Sequence, residues 1–221
     1  MTSDVQKFDR EYFEKYYESE AYIRGTGRKY RTYLSLLRRF LSNGSVLEIG
    51  CGYGGFLTVS STSYQVTGID VSGHALTRIR NSSHTPGCNL VCASGEALPF
   101  SKKFDAIVAF DCLEHLAKPD KCLKEINRLQ NVGGILMIVV PVYDTFVGKI
   151  VGLLDDDTTH LHKRSRYFWI ECMKTAGYTA VILRGAWRYL LLRRLYINFT
   201  SPIWKASPAL LIVARKDSET C

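Results

Sequence analysis

Apolar residues in this chain come in two rhythms. From Arg28 to Leu41 they recur at Tyr30, Tyr33, Leu34, Leu37 and Leu41, the spacing of a helix with arginines on its far face. Ser42-Asn43-Gly44 ends it. Ahead of it, residues 9–23 read as an aromatic helix. Beyond Gly44 the rhythm changes. Short runs rich in Val, Ile and Leu sit at Ser45–Ile49, Gln65–Ile69, Asn89–Ala93, Ala106–Phe110 and Gly134–Val140. They are too short for helices and lack polar alternation, as expected of strands buried on both faces. Helical segments fall between them, about Gly55–Ser63, Gly73–Asn81 and Pro119–Leu129. Pro119 suits a first helical turn, and Asn131 with Gly133-Gly134 suits an end. After Pro141 the pattern predicts an irregular stretch to Arg164, then a helix over Ser165–Ala176. Two strand-like runs close the chain, Thr179–Leu183 and Pro208–Ala214. The last follows a long excursion and is expected antiparallel, at or near the sheet edge.

Alternating strands and helices imply right-handed crossovers and a parallel sheet covered on both faces. The expected fold class is therefore α/β: a Rossmann-like, seven-stranded, mostly parallel sheet with an antiparallel last strand. The 221 residues suffice for one sizeable core, so a single domain over 1–221 is expected.

In such a sheet, ligands bind beyond the carboxyl ends of the strands. The first strand-to-helix turn reads Gly50-Cys51-Gly52-Tyr53-Gly54-Gly55. Glycines let backbone approach a ligand, and amides at a helix start welcome an anion. Asp70 ends the next strand about twenty residues on, where a carboxylate can accept from both ribose hydroxyls. Gly50, Gly52 and Gly55 also fit the dinucleotide spacing GxGxxG. Glu48, two residues before the first glycine, argues against it, because an acid there repels a pyrophosphate and suits an amino group. Taken alone, Glu48 is also readable as a satisfied acid at a strand end and Asp70 as a helix cap before Gly73.

Glu48 to Gly54 (ExGxGxG), IDVS (Ile69–Ser72), GEALPF (Gly95–Phe100), LEH (Leu113–His115) and the RLQNVGG approach to the fifth strand resemble the class I S-adenosylmethionine-dependent methyltransferases. The likeness covers about residues 45–183 and is nearest the small-molecule branch that includes ubiquinone O-methyltransferases. It implies S-adenosylmethionine as cofactor and S-adenosylhomocysteine as product. It implies that Gly50, Cys51 and Gly52 supply backbone contacts, that Glu48 orients the cofactor's amino group, and that Asp70 takes the ribose hydroxyls. Val71 would lie against the adenine, and the Phe110 carbonyl would meet the methionine amine. Ser94 stands where the family usually has Asp bonding the adenine, so Glu96 or backbone at Gly95 is expected to substitute. The domain then divides into a helical lid (1–42), a cofactor core (45–141) and an acceptor-site segment with the last helix and strands (142–221).

Methyl transfer to a hydroxyl or ammonium also needs a base. His160 in DDDTTHLHKRSR is the favoured candidate, and His115 after the fourth strand is the second. The cluster of Asp155, Asp156, Asp157, His160 and His162 is expected to be a solvated loop, so no metal site is expected. Tyr12, Tyr16, Tyr17 and Tyr22 could cover the cofactor or simply pack an aromatic helix.

Composition narrows the partners. Net charge is +8, with basic groups denser at Arg28–Arg39 and Arg184–Arg194, which favours an anionic or aromatic acceptor. A nucleic-acid methyltransferase is the second enzyme reading. It is weakened because the fourth strand is followed by DCLEH rather than a Pro-Pro element, and no Pro precedes a Cys. An NAD-dependent oxidoreductase shares the fold, and a non-catalytic scaffold would keep it. Trp187–Tyr196 (WRYLLLRRLY) is basic enough for peripheral membrane contact, though core packing with surface arginines fits it better. Seven scattered cysteines without a CxxC pair suit free thiols, and with no signal-like N-terminus a cytoplasmic location is expected.

Overall fold

The structure, a computed structural model, describes residues 7–17, 20–82, 87–154, 157–191 and 195–217. Two helices come first, α1 (Arg10–Tyr17) and α2 (Glu20–Leu37). The alternating region follows: β1 (Ser45–Ile49), α3 (Gly55–Ser60), β2 (Gln65–Asp70), α4 (Gly73–Arg80), β3 (Asn89–Cys92) and β4 (Phe104–Phe110). A 3₁₀ turn (Leu113–His115), α5 (Pro119–Arg128) and β5 (Gln130–Pro141) lead to α6 (Phe146–Leu154) and α7 (Arg166–Thr175). The chain closes with β6 (Tyr178–Leu191), β7 (Leu195–Ser201) and β8 (Ala209–Lys216).

The strands form one sheet in the order β3-β2-β1-β4-β5-β8-β6-β7. β1 to β5 pair in parallel, and β8 runs antiparallel to both of its neighbours, β5 and β6. The near-continuous apolar runs are buried on both sides. In β5, Ile135, Met137 and Val139 face a core with Tyr33, Leu37 and Phe56. Leu136, Ile138 and Val140 face the opposite core, with Leu123, Ile126, Trp169 and Met173. Thus α2, α3 and α4 cover one face, and α5 and α7 the other.

Two expectations are corrected. Among the described residues the sheet has eight strands rather than seven. The segment after Arg184 is not an excursion: β6 continues to Leu191 and turns back as β7, with register pairs from Gly185↔Ser201 to Leu191↔Leu195. β8 therefore fills an interior slot, and β7 is the edge strand at that end of the sheet. The eight residues of β8 are nearly all buried, as an interior position demands. The apolar–basic mixture of 187–196 obscured the hairpin, since neither helical nor strand periodicity is clean there. The second correction is α6, a helix inside the stretch expected to be irregular. The expectations for Asp155, Asp156 and residues 192–194 lie outside the described residues, as does what was expected of the Tyr22 side chain. No helix among the described residues is long and apolar enough to cross a membrane. The six described cysteines are free.

Candidate active site

The carboxyl ends of β1, β2 and β4 meet at the middle of the sheet and open into a cavity of about 510 Å³. The glycine turn forms one wall. Gly50, Gly52 and Gly54 hold φ of 70°, 50° and 73°, the left-handed region that a side chain disfavours. Gly50 is doubly constrained, because a Cβ there would come within 2.6 Å of Cys112 Sγ. The turn is closed by Gly54 N–H donating to the Cys51 carbonyl at 2.8 Å.

Asp70 ties this turn to the end of β2. Its Oδ2 accepts from Gly52 N at 2.8 Å and its Oδ1 from Ser72 N at 2.9 Å. Only 8% exposed, it has its pKa raised by burial, opposed by those amides. Each oxygen keeps a further lone-pair site, so the group can still accept from a diol. Cys51, Val71, Gly95 and Phe110 also line the cavity. Three residues expected near the cofactor stand elsewhere. Ser94 Oγ accepts from Glu96 N at 3.2 Å, and Glu96 Oε1 accepts from Lys118 N at 2.9 Å at the start of α5. Neither lines the cavity. Glu48 is 2% exposed and off the wall, and its Oε2 has no hydrogen-bond partner. Burial raises its pKa well above the carboxylate range, with Lys29 opposing and Asp70 reinforcing the rise.

Sequence reading missed an ion pair. Lys29, on α2, is 2% exposed, and its Nζ lies 2.9 Å from Asp111 Oδ2. Both line the cavity beside the glycine turn. Asp111 follows β4 with φ 54°, the sole positive value at a non-glycine among the described residues. Asp tolerates that region better than most residues. A buried cation next to a carboxylate matches the two charged ends of an α-amino acid, and with Asp70 and the glycine turn the residues present fit S-adenosylmethionine. No sequence signal marks Lys29, whose burial depends on how α2 docks.

At the far side of the cavity stands His115. Its Nδ1 lies 2.9 Å from Thr159 Oγ1, which donates to Asp157 Oδ1. Asp157 as a carboxylate only accepts, so Thr159 gives its proton there and accepts from His115 Nδ1–H. The chain leaves the Nε2 lone pair of His115 available. Tyr12 Oη donates to the other Asp157 oxygen at 3.2 Å. Burial, reinforced by Asp157, raises the Tyr12 pKa. The His160 ring lies beside His115 with centroids 4.6 Å apart and planes tilted by 42°, and its Nδ1 is 3.4 Å from Tyr143 Oη. Burial, then the neighbouring His160, lowers the His115 pKa to about 4, so the ring is neutral at pH 7. Of the two histidines singled out from sequence, His115 is on the cavity wall and His160 is not. The N-terminal segment beside the cavity is aromatic. Phe13 of α1 stacks on Tyr53 of the glycine turn at 4.7 Å, and Phe8, Tyr12 and Tyr17 face the cavity.

Known proteins agree with this architecture. A family model described as a methyltransferase domain matches residues 47–138. An uncharacterised protein of Methanocaldococcus jannaschii is 28% identical over 146 residues, 65% of each chain. The chloroplastic 2-methyl-6-phytyl-1,4-hydroquinone methyltransferase of Arabidopsis thaliana is 27% identical over 187 residues, 79% of this chain and 54% of that one. The chain thus spans less than two thirds of these relatives. Among solved structures, a Thermotoga maritima S-adenosylmethionine-dependent methyltransferase, possibly a histamine N-methyltransferase, superposes with a TM-score of 0.69. That match has 18% identity and covers 93% of this chain and 98% of the other. Residues 47–138 thus match a methyltransferase domain, and the fold of the chain is that of solved S-adenosylmethionine-dependent methyltransferases.

Proposed function

We propose that the protein transfers a methyl group from S-adenosylmethionine to an oxygen or nitrogen of a small, ring-bearing, lipid-like acceptor. One observation carries this reading. A single cavity is lined by Asp70, the glycine turn and His115, whose Nδ1 is held by Thr159. Bound against Asp70 and the glycines, S-adenosylmethionine supplies an electrophilic methyl on a sulfonium. The protein then has to hold the acceptor in line and exclude water. Phe8, Tyr12, Tyr17 and Leu116 give that part of the cavity an apolar, aromatic lining suited to a ring and an alkyl tail. The Arabidopsis thaliana relative is named for a phytyl hydroquinone, an acceptor of that kind.

His115 accepts the acceptor's proton at Nε2, and Thr159 and Asp157 hold the ring in the tautomer that allows it. Lys29 and Asp111 orient the charged amino-acid end of the cofactor, and Asp70 its ribose. A nucleic-acid acceptor fits less well, because the aromatic lid leaves a cavity of small-molecule size.

Titration calorimetry with S-adenosylhomocysteine, with NADH as control, tests the cofactor reading. Micromolar binding of the first alone is expected, and binding of NADH alone overturns it. Transfer of tritiated methyl to a panel of prenylated hydroquinones, phenols and amines then tests the acceptor class. Label in RNA alone overturns the small-molecule reading.

A further inference from the structure

Helix α6 is built inside out. A glycine is buried beneath it: a Cβ on Gly148 would collide with the Val142 carbonyl oxygen. One on Gly152 would come within 2.6 Å of the Tyr143 ring. The bulky apolar side chains point the other way. Phe146 is 79% exposed, Ile150 42% and Leu153 87%. These positions are four and three residues apart, so they share one face. A solvent-facing helix normally places charge on that face. Here it carries one charge, Lys149, which is also exposed.

We propose that this face of α6 docks on a phospholipid membrane surface and brings lipid-like acceptors to the cavity. Three observations select a bilayer as occupant. The exposed row is short, continuous and apolar, which suits insertion at the headgroup boundary. Among the described residues its exposed charged neighbours are cationic: Lys149 on the helix, and Lys163 and Arg164 after it. Lys163 Nζ lies 5.8 Å from the Tyr143 ring on which Gly152 packs, so these cations border the helix. The acids described nearby are turned inward, Asp144 onto Arg166 and Asp157 onto Tyr12 and Thr159. The helix also adjoins the acceptor end of the site, because Tyr143 connects it to His160 and so to His115. The acceptor half of the inference rests on the methyltransferase reading above. The docking half does not.

The test is flotation of the full chain with vesicles of three parts phosphatidylcholine to one part phosphatidylglycerol, without cofactor. The protein is expected to float with the vesicles. Phe146→Ser with Leu153→Ser is expected to cut the bound fraction at least tenfold, with the circular dichroism melting curve unchanged because both side chains are exposed. In turnover, that variant keeps its rate on a short-tailed, soluble acceptor and loses it on a long-tailed acceptor in vesicles. A wild-type protein that stays unbound overturns the docking proposal and leaves the cofactor reading untouched. So does binding that survives the double variant and is abolished by salt. Sedimentation velocity showing a dimer that the double variant dissolves replaces the bilayer with a second copy of the chain.

Discussion

Asp70 is the residue on which the proposed cofactor site turns. It closes the glycine turn through Gly52 and caps the start of α4's approach through Ser72, so its carboxylate is fixed before any ligand arrives. Asp70→Ala should weaken S-adenosylhomocysteine binding by about 1.5–3 kcal/mol, the range for charged hydrogen bonds. Calorimetry reads this directly, and unchanged affinity removes Asp70 from the site. His115 carries a pH signature. The folded protein holds it neutral, with a pKa of about 4 against 6.5 for the free side chain. Protonation therefore favours unfolding. This contribution is constant above about pH 7 and destabilises the fold as pH falls from 6.5 towards 4. From pH 7 to pH 5 that is a loss of about 2 kcal/mol in denaturant unfolding, which His115→Gln should remove. In turnover, His115→Ala should cost about a hundredfold or more with cofactor affinity kept. His160→Ala should instead move the acid limb of the rate profile upward, because His160 helps to lower the His115 pKa. The cavity lining was legible in part: Gly50, Gly52, Asp70 and Val71, which follow from motif spacing at the ends of β1 and β2, all line it. Lys29, Asp111 and Thr159 were not, since each acquires its role from a partner 44 to 82 positions away. Glu48 and Ser94 were placed by motif position, which fixes a backbone location and not the direction of a side chain.

At the scale of elements, α1 is held to the core by rings. Phe13 is 4% exposed and stacks on Tyr53, and Arg78 of α4 lies 4.2 Å from the same ring. Truncating Phe13 to Ala removes that anchor from a helix of eight residues, too short to persist alone. Proteolysis within α1 should then accelerate while the global melting point changes little, because the sheet core is untouched. Binding of S-adenosylhomocysteine should slow cleavage in the wild type and protect the variant much less. Equal protection in both would show that α1 does not cover the cofactor. An aromatic helix was readable from the spacing of Tyr12, Phe13, Tyr16 and Tyr17. Its docking partner was not, since Tyr53 lies in a different element with no local mark of the contact.

The molecule as a whole was most legible where burial is two-sided. The five runs read as strands became β1 to β5; four of them lie inside the sheet, where a parallel strand needs apolar residues on both faces, and β3 forms its edge. The last three strands were harder. β8 is inserted between β5 and β6 and buried almost throughout, yet the segment before it forms an edge hairpin in whose sequence apolar and basic residues mix without a clean period. This order has a mechanical consequence. Because β8 joins β5 to β6 along one continuous sheet, the cofactor half and the C-terminal half should unfold together. Ligand bound at the ends of β1, β2 and β4 then raises the stability of the entire chain. At a hundred times its dissociation constant, S-adenosylhomocysteine adds about 2.7 kcal/mol. For a domain of this size that is a rise of roughly 5–11 °C in melting temperature. Scanning calorimetry should show one transition, shifted intact. Two transitions, with only the first moved by ligand, would mean that the β6–β7 hairpin and β8 melt as a unit separate from the site.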